Sequence, residues 1–320
     1  LCAGCASFGR GVTEAIMNKD SSVPKECRVY SGGFEGLSST FEKHTGVLKV
    51  INVHGIGEHS PGYALRKTNA LADRMKLNIQ APDYKEIQLS DPSAPDTNIG
   101  VLRVYKRYAE DGRTMIFYEY SWSVVAKPLR DQLKFDNMDL SAAHRTEMNA
   151  SFKNFFNEVV PDAVTYAANS VYQNRIHLGL NQVMCWSFAK EWEDLPDRSN
   201  ATCKLSEGTS DAYNHRHVIM ASSMGSQIAL DAIHWFTYKN INAPEEYAPV
   251  NRMDGERLDV QMVLLANQIP LLSLGKELPF VHDRIGEFCT AGNKGYDYRF
   301  LDKLEIVAFS DPNDILTYSL

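Results

Sequence analysis

Residues 217–230, His-Val-Ile-Met-Ala-Ser-Ser-Met-Gly-Ser-Gln-Ile-Ala-Leu, constrain the fold more than any other stretch of the chain. The β-prone run Val218-Ile219-Met220 meets a turn of small residues, which passes directly into an apolar pattern at helical spacing reaching about Phe236. A strand, a tight turn and a helix are therefore expected in immediate succession. Ser223 falls at the turn, where the first amides of the helix point at anything bound beside it. Only small neighbours fit so sharp a turn, and Ala221 and Gly225 flank Ser223 at minus two and plus two.

A second stretch has a related build. Val47-Leu48-Lys49-Val50-Ile51-Asn52-Val53 is a strand-like run that ends in His54-Gly55-Ile56-Gly57. The Ala-x-Ser-x-Gly pattern departs by one residue from the Gly-x-Ser-x-Gly nucleophile elbow. The His-Gly segment looks like the oxyanion loop of lipases and esterases. Taken together and in this order, the two motifs resemble those of the α/β-hydrolase family. The resemblance implies an α/β fold, a mostly parallel sheet flanked by helices, and a serine hydrolase that cleaves an ester or acyl bond of a small molecule without a cofactor. It also implies roles. Ser223 would be the nucleophile, and the backbone amides of Ile56 and Met224 would receive the oxyanion. His54 would stabilise its loop, supported by Gly55, Gly57 and Gly225, with His59 nearby. The alternative for Ser223 is a plain helix cap. Ser222 is out of register with Gly225, and Ser226 already lies on the helix.

In the family order Ser, Asp, His, the acid follows the second strand after the elbow. Asp314 occupies that place, just beyond the strand expected at Leu304–Phe309, and Asp311 is close to it. An ordinary Asp-Pro turn is the competing reading of Ser310-Asp311-Pro312-Asn313-Asp314. The base would follow one more strand. His282 precedes the acid, while His215 and His217 flank the start of the elbow strand. The expectation is a catalytic histidine beyond Leu320, the sequence being a fragment with a C-terminal strand and helix missing. A binding scaffold that keeps the hydrolase fold without turnover is the alternative function, and a related acyltransferase or thioesterase a third.

Around these motifs the chain divides into a tether over residues 1–27 and a hydrolase-like domain over 28–320. A helix is expected over Ala64–Asn78, a loop over Asp91–Asn98, and strands over Val101–Tyr108 and Thr114–Trp122 joined by the turn Glu110-Asp111-Gly112. Pro128 and the polar run after it should break the pattern. An inserted helical cap is expected over about 124–214, its helices within 141–192, followed by a polar loop over Ser199–Asn214. A buried parallel strand is expected over Val260–Ala266.

With 44% apolar residues, 23% charged residues and a net charge of −7, the 320-residue chain has the composition of a globular protein with a sizeable core and no basic face for nucleic acid. No window approaches the roughly 18 apolar residues of a membrane span. Leu1-Cys2-Ala3-Gly4-Cys5-Ala6-Ser7 resembles a bacterial lipobox, which implies lipidation of Cys5 and a membrane-anchored protein of the cell envelope. Cys27, Cys185, Cys203 and Cys289 then allow two disulfides in three connectivities, of which Cys185–Cys203 is the most local; free buried cysteines are the alternative. No cysteine or histidine spacing points to a metal.

Overall fold

The computed structural model describes residues 46–79, 83–138, 145–168, 171–204, 215–242, 258–274 and 301–319, except 312 and 315, with single positions between 34 and 41 and between 290 and 296. His282, Cys289 and the whole tether, with Cys5 and Cys27, lie outside them. Within this set the chain forms strands β1 (Val47–Val53), β2 (Asp83–Asp91), β3 (Ala94–Tyr108), β4 (Thr114–Ser121), β5 (Ser199–Ala201), β6 (Arg216–Ser222), β7 (Leu258–Leu265) and β8 (Leu301–Phe309). The helices are α1 (Leu65–Arg74), α2 (Ser123–Met138), α3 (Glu147–Ala167), α4 (Val171–Ala189), α5 (Gly225–Asn242) and the single turn α6 (Ile269–Leu272).

The eight strands make one sheet in the order β5-β2-β3-β4-β1-β6-β7-β8. β4, β1, β6, β7 and β8 run parallel, and β3 pairs antiparallel with both β2 and β4. Hydrophobic side chains on both faces of the central strands explain why β1 and β6 read as near-continuous apolar runs. Ile51, Val53, Ile219, Ala221 and Met262 face a core shared with α4 and α5. Leu48, Val50, Val218 and Met220 face the other core, with Ala72 of α1 and Met75 just after it. The molecule is thus an α/β protein with a mostly parallel sheet between helical layers.

Several boundaries differ from expectation for identifiable reasons. The expected loop at Asp91–Asn98 is mostly strand: the chain turns at Pro92-Ser93, where Asp91 Oδ1 accepts from the Ser93 amide at 2.8 Å and its hydroxyl at 2.6 Å, and β3 resumes at Ala94. Its partner β2 is hidden in the sequence, since only Ile87 and Leu89 present an apolar face to the core. Pro128 does not break the chain, and α2 runs through it. The missing proline N–H is offset by burial of Val125 and Ala126 on the same helix. Ser199–Ala201 is a short edge strand parallel to β2, where a polar loop was expected.

Helix α4 lies within the main core. A Cβ on Gly179 would come within 2.1 Å of the Tyr120 hydroxyl and 2.5 Å of the Ile99 carbonyl oxygen, so α4 rests directly on β3 and β4. The Tyr120 hydroxyl, buried in the same contact, lies 3.0 Å from the Ile99 and 3.1 Å from the Ile176 carbonyl oxygen. Cys185 of α4 is disulfide-bonded to Cys203, with Cα atoms 5.9 Å apart, which fastens the segment after β5 to that helix. The most local pairing open to the sequence is the one formed.

Candidate functional site

Parallel pairing sets Val53 of β1 beside Ala221 of β6, and Ala221 beside Leu264 of β7. The segments that leave these strands, 54–57 and 223–225, therefore lie side by side at the C-terminal edge of the sheet. Ser223 makes the turn with φ of 56°, a left-handed conformation that costs an ordinary side chain roughly 1–2 kcal/mol. Its amide donates to the Leu265 carbonyl at 2.8 Å, tying the turn to the end of β7. The Ser226 and Gln227 amides go to the Ser223 and Met224 carbonyls at 2.9 and 3.0 Å, so the backbone, and not the Ser223 hydroxyl, receives them.

Both glycines of the two motifs are explained by close approach. A Cβ on Gly55 would stand 2.6 Å from Ser223 Cβ and 3.0 Å from Ser223 Oγ. On Gly225 it would stand 2.6 Å from the His54 carbonyl oxygen and 2.8 Å from that of Val53. Each loop fills the space that a side chain on the other would need. Gly57 has φ of 97°, which lets the His-Gly segment turn away from the sheet. Ile56 and Met224 are buried, and among the described residues their amides have no hydrogen-bond acceptor. Two donors therefore remain available beside Ser223, one from each loop.

His54 is fixed and neutral. Its Nδ1 lies 2.7 Å from the Gly55 carbonyl oxygen and must carry the proton, while its Nε2 accepts from the Trp122 amide at 3.2 Å. The ring is stacked between Trp122 and His59, with centroids at 4.6 and 4.2 Å. Burial, then the neighbouring His59, pushes its pKa well below the ordinary histidine value. With both nitrogens engaged it shapes the loop and has no lone pair for a serine proton. His59 is also held: its Nδ1 is 3.2 Å from the Gly57 carbonyl oxygen, its amide donates to Ser123 Oγ, and burial lowers its pKa.

The sequence did not point to the residues that brace this loop from the helical segment. Asp162 of α3 accepts the Gly57 amide on Oδ2 at 2.7 Å and Arg130 Nη1 of α2 on Oδ1 at 2.7 Å. Arg130 also donates to the Ser123 carbonyl at 2.6 Å. The ion pair is sealed from solvent, with side chains 4% and 0% exposed. Burial raises the Asp162 pKa, and Arg130 and the Gly57 amide oppose that shift. A polar residue among the apolar positions of a helix was the only signal available.

Asp311 and Asp314 follow β8, whose end is level with those of β6 and β7: Ser222 pairs with Leu265, and Leu265 with Phe309. Two strand spacings separate the ends of β6 and β8 by roughly 10 Å, a gap that an imidazole bonded at both ends can bridge. Both aspartates take part in local turns. Asp314 accepts from the Leu316 amide at 3.0 Å and Thr317 Oγ1 at 2.8 Å, and Asp311 accepts from the Asn313 amide at 2.9 Å. Buried Asn267, just after β7, pins the chain beyond them by donating to the Tyr318 carbonyl and accepting the Tyr318 amide on its own.

His217 pairs with Lys49 near the start of β6, six residues before Ser223 and so about 20 Å away along the strand. His215, earlier still, holds Glu191 at 2.8 Å. Neither can serve Ser223, and His282 lies outside the described residues. The described residues thus bring together a strained serine, two amide donors and a neighbouring acidic segment. Comparison with protein-family models, curated proteins and solved structures found no match to this chain.

Proposed function

We propose that the chain is a serine hydrolase of the α/β-hydrolase kind, with Ser223 as nucleophile and an ester or acyl bond as substrate. The observation that carries this reading is Ser223 at positive φ on a strand–turn–helix, closed against Gly55 of the neighbouring loop. Strain of this kind persists only where the surrounding structure over-determines it, and it collects at functional sites. In the proposed reaction Ser223 Oγ adds to the substrate carbonyl carbon as a base takes its proton. The carbonyl oxygen becomes an oxyanion facing the Ile56 and Met224 amides. Its collapse expels the alcohol, which leaves with that proton, and water then releases the acid by the same two steps.

Asp314, with Asp311 as the nearer alternative to β8, would orient the base. The Leu316 amide and Thr317 hydroxyl each use one lone pair of an Asp314 oxygen, which leaves others for an imidazole N–H. The base would be a histidine outside the described residues, of which His282 is one. Cys5, also outside them, would carry a lipid that anchors the protein to the envelope membrane; fatty-acid labelling that survives Cys5→Ser would rule that out.

The test is labelling by a fluorescent fluorophosphonate. Ser223→Ala should abolish it and Asp314→Asn should slow it. A folded protein that leaves the probe untouched supports the second reading, a binding scaffold without turnover, which the self-contained hydrogen bonding of Asp314 favours.

A further inference from the structure

The helical segment and the His-Gly loop meet at one point of unusual chemistry. Gly57 donates its amide to a carboxylate, where a loop amide more often finds water or a carbonyl. That carboxylate cannot drift, because Arg130 holds its other oxygen and is itself tied to the Ser123 carbonyl. Ser123 closes the ring: its hydroxyl donates to the His59 carbonyl at 2.9 Å and lies 3.2 Å from the His59 amide. The Gly57 amide belongs to the residue directly after Ile56. The Ile56 and Gly57 amides are separated only by φ and ψ of Ile56, so with the Gly57 amide held, these two dihedrals alone set the aim of the Ile56 N–H.

We propose that Asp162 is a positioning residue for the reaction above, a role that rests on the hydrolase reading. Locked by Arg130, its carboxylate holds the Gly57 amide and thereby keeps the Ile56 N–H directed at the oxyanion. The helical segment then sets the geometry of one of the two donors. Burial of the pair matters to this role. In water-excluded surroundings the carboxylate-to-amide bond has no solvent competitor, and the loop keeps one conformation while charge develops on the substrate.

Asp162→Asn tests this with the full chain. An asparagine has one oxygen where the aspartate has two, so either the Gly57 amide or Arg130 faces an NH2 group and loses its acceptor. Active sites are first counted by letting the fluorophosphonate react to completion, and ester turnover is expressed per counted site. The expected result is a fall in kcat of roughly 10²-fold with KM little changed, because an oxyanion donor acts in the transition state and not on the bound ester. Asp162→Glu, which keeps both oxygens, should recover part of that loss. The paired change Arg130→Met with Asp162→Leu removes both buried charges, and should return the thermal midpoint toward wild type while kcat stays low. Wild-type kcat per counted site in the Asn variant, or recovery of kcat together with stability in the paired variant, would make Asp162 merely structural and overturn the proposal. Wild-type protein that neither labels nor turns over an ester overturns the hydrolase reading and this one together.

Discussion

Gly55 and Ala221 both lie beside the Ser223 turn, and they respond oppositely to a single methyl group. At Gly55 a Cβ would meet Ser223 Cβ at 2.6 Å and the Ser222 carbonyl oxygen at 3.0 Å, so the two loops would have to separate. Ala221 is fully buried within β6, between Val53 and Leu264, and its φ is not positive. Nothing in that geometry requires the glycine that the elbow pattern has there, and the methyl fills core space. Gly55→Ala should therefore cost about 1–3 kcal/mol by overpacking and abolish fluorophosphonate labelling. Ala221→Gly should cost about 1 kcal/mol, as glycine does within a strand, and leave labelling intact. Urea unfolding and probe labelling of the two variants read both effects. Equal labelling of the two would show that the loop contact does not shape the site.

Among the elements, the opposite edge of the sheet carries a polar cluster with a different task. Lys49 of β1 is completely buried, with its Nζ 2.9 Å from the Lys190 carbonyl oxygen and 3.3 Å from Glu191 Oε1. Glu191, just past α4, also takes His215 Nε2 at 2.8 Å, next to the start of β6. One carboxylate thus joins β1, β6 and the end of α4. The hydrogen bond from His215, then the charge of Lys49, overcomes burial and pulls the Glu191 pKa down to about 2. On the lysine side burial wins, and the Lys49 pKa is lowered despite the pairing. Because the folded value for Glu191 lies below the ordinary 4.5, its contribution is full above that pH and is lost as the pH falls toward 2. The full shift would correspond to roughly 3–4 kcal/mol, and solvent screening of this partly exposed carboxylate keeps its contribution below that. Glu191→Gln should remove that part of the acid sensitivity. Its urea midpoint at pH 3 should sit closer to its midpoint at pH 5 than is the case for wild type, and an unchanged pH slope would assign the acid response to other carboxylates.

For the molecule as a whole, the chain was legible wherever one segment carries its own signal. β1 with its His-Gly loop, β6 with its elbow, and the buried run of β7 were readable because each is apolar on both faces or ends in a turn that demands small residues, whereas β8, with no buried residue, showed only in its apolar second half from Leu304 to Phe309. What could not be read lies between segments. β2 shows only two apolar residues on one face, and the pairing of Arg130 with Asp162 is a contact across 32 positions that neither helix announces. The same limit applies to the region 124–214, expected as an inserted helical cap, since a run of helices gives no sign of what it packs against. Gly179 supplies that sign in three dimensions: its missing side chain lets α4 touch Tyr120 and Ile99, and joins the last helix of the region to the sheet. Trp186 on α4 and Ile219 on the elbow strand then belong to one continuous core. A single cooperative unfolding transition follows, in which tryptophan fluorescence and far-ultraviolet circular dichroism lose signal together. Gly179→Ala should shift that whole transition downward, by at least the 1–3 kcal/mol typical of overpacking, because its Cβ would collide with a backbone carbonyl and a buried hydroxyl. If the region instead unfolded independently of the sheet, the same variant would split the curve, with fluorescence changing first and most of the circular dichroism persisting to the wild-type midpoint.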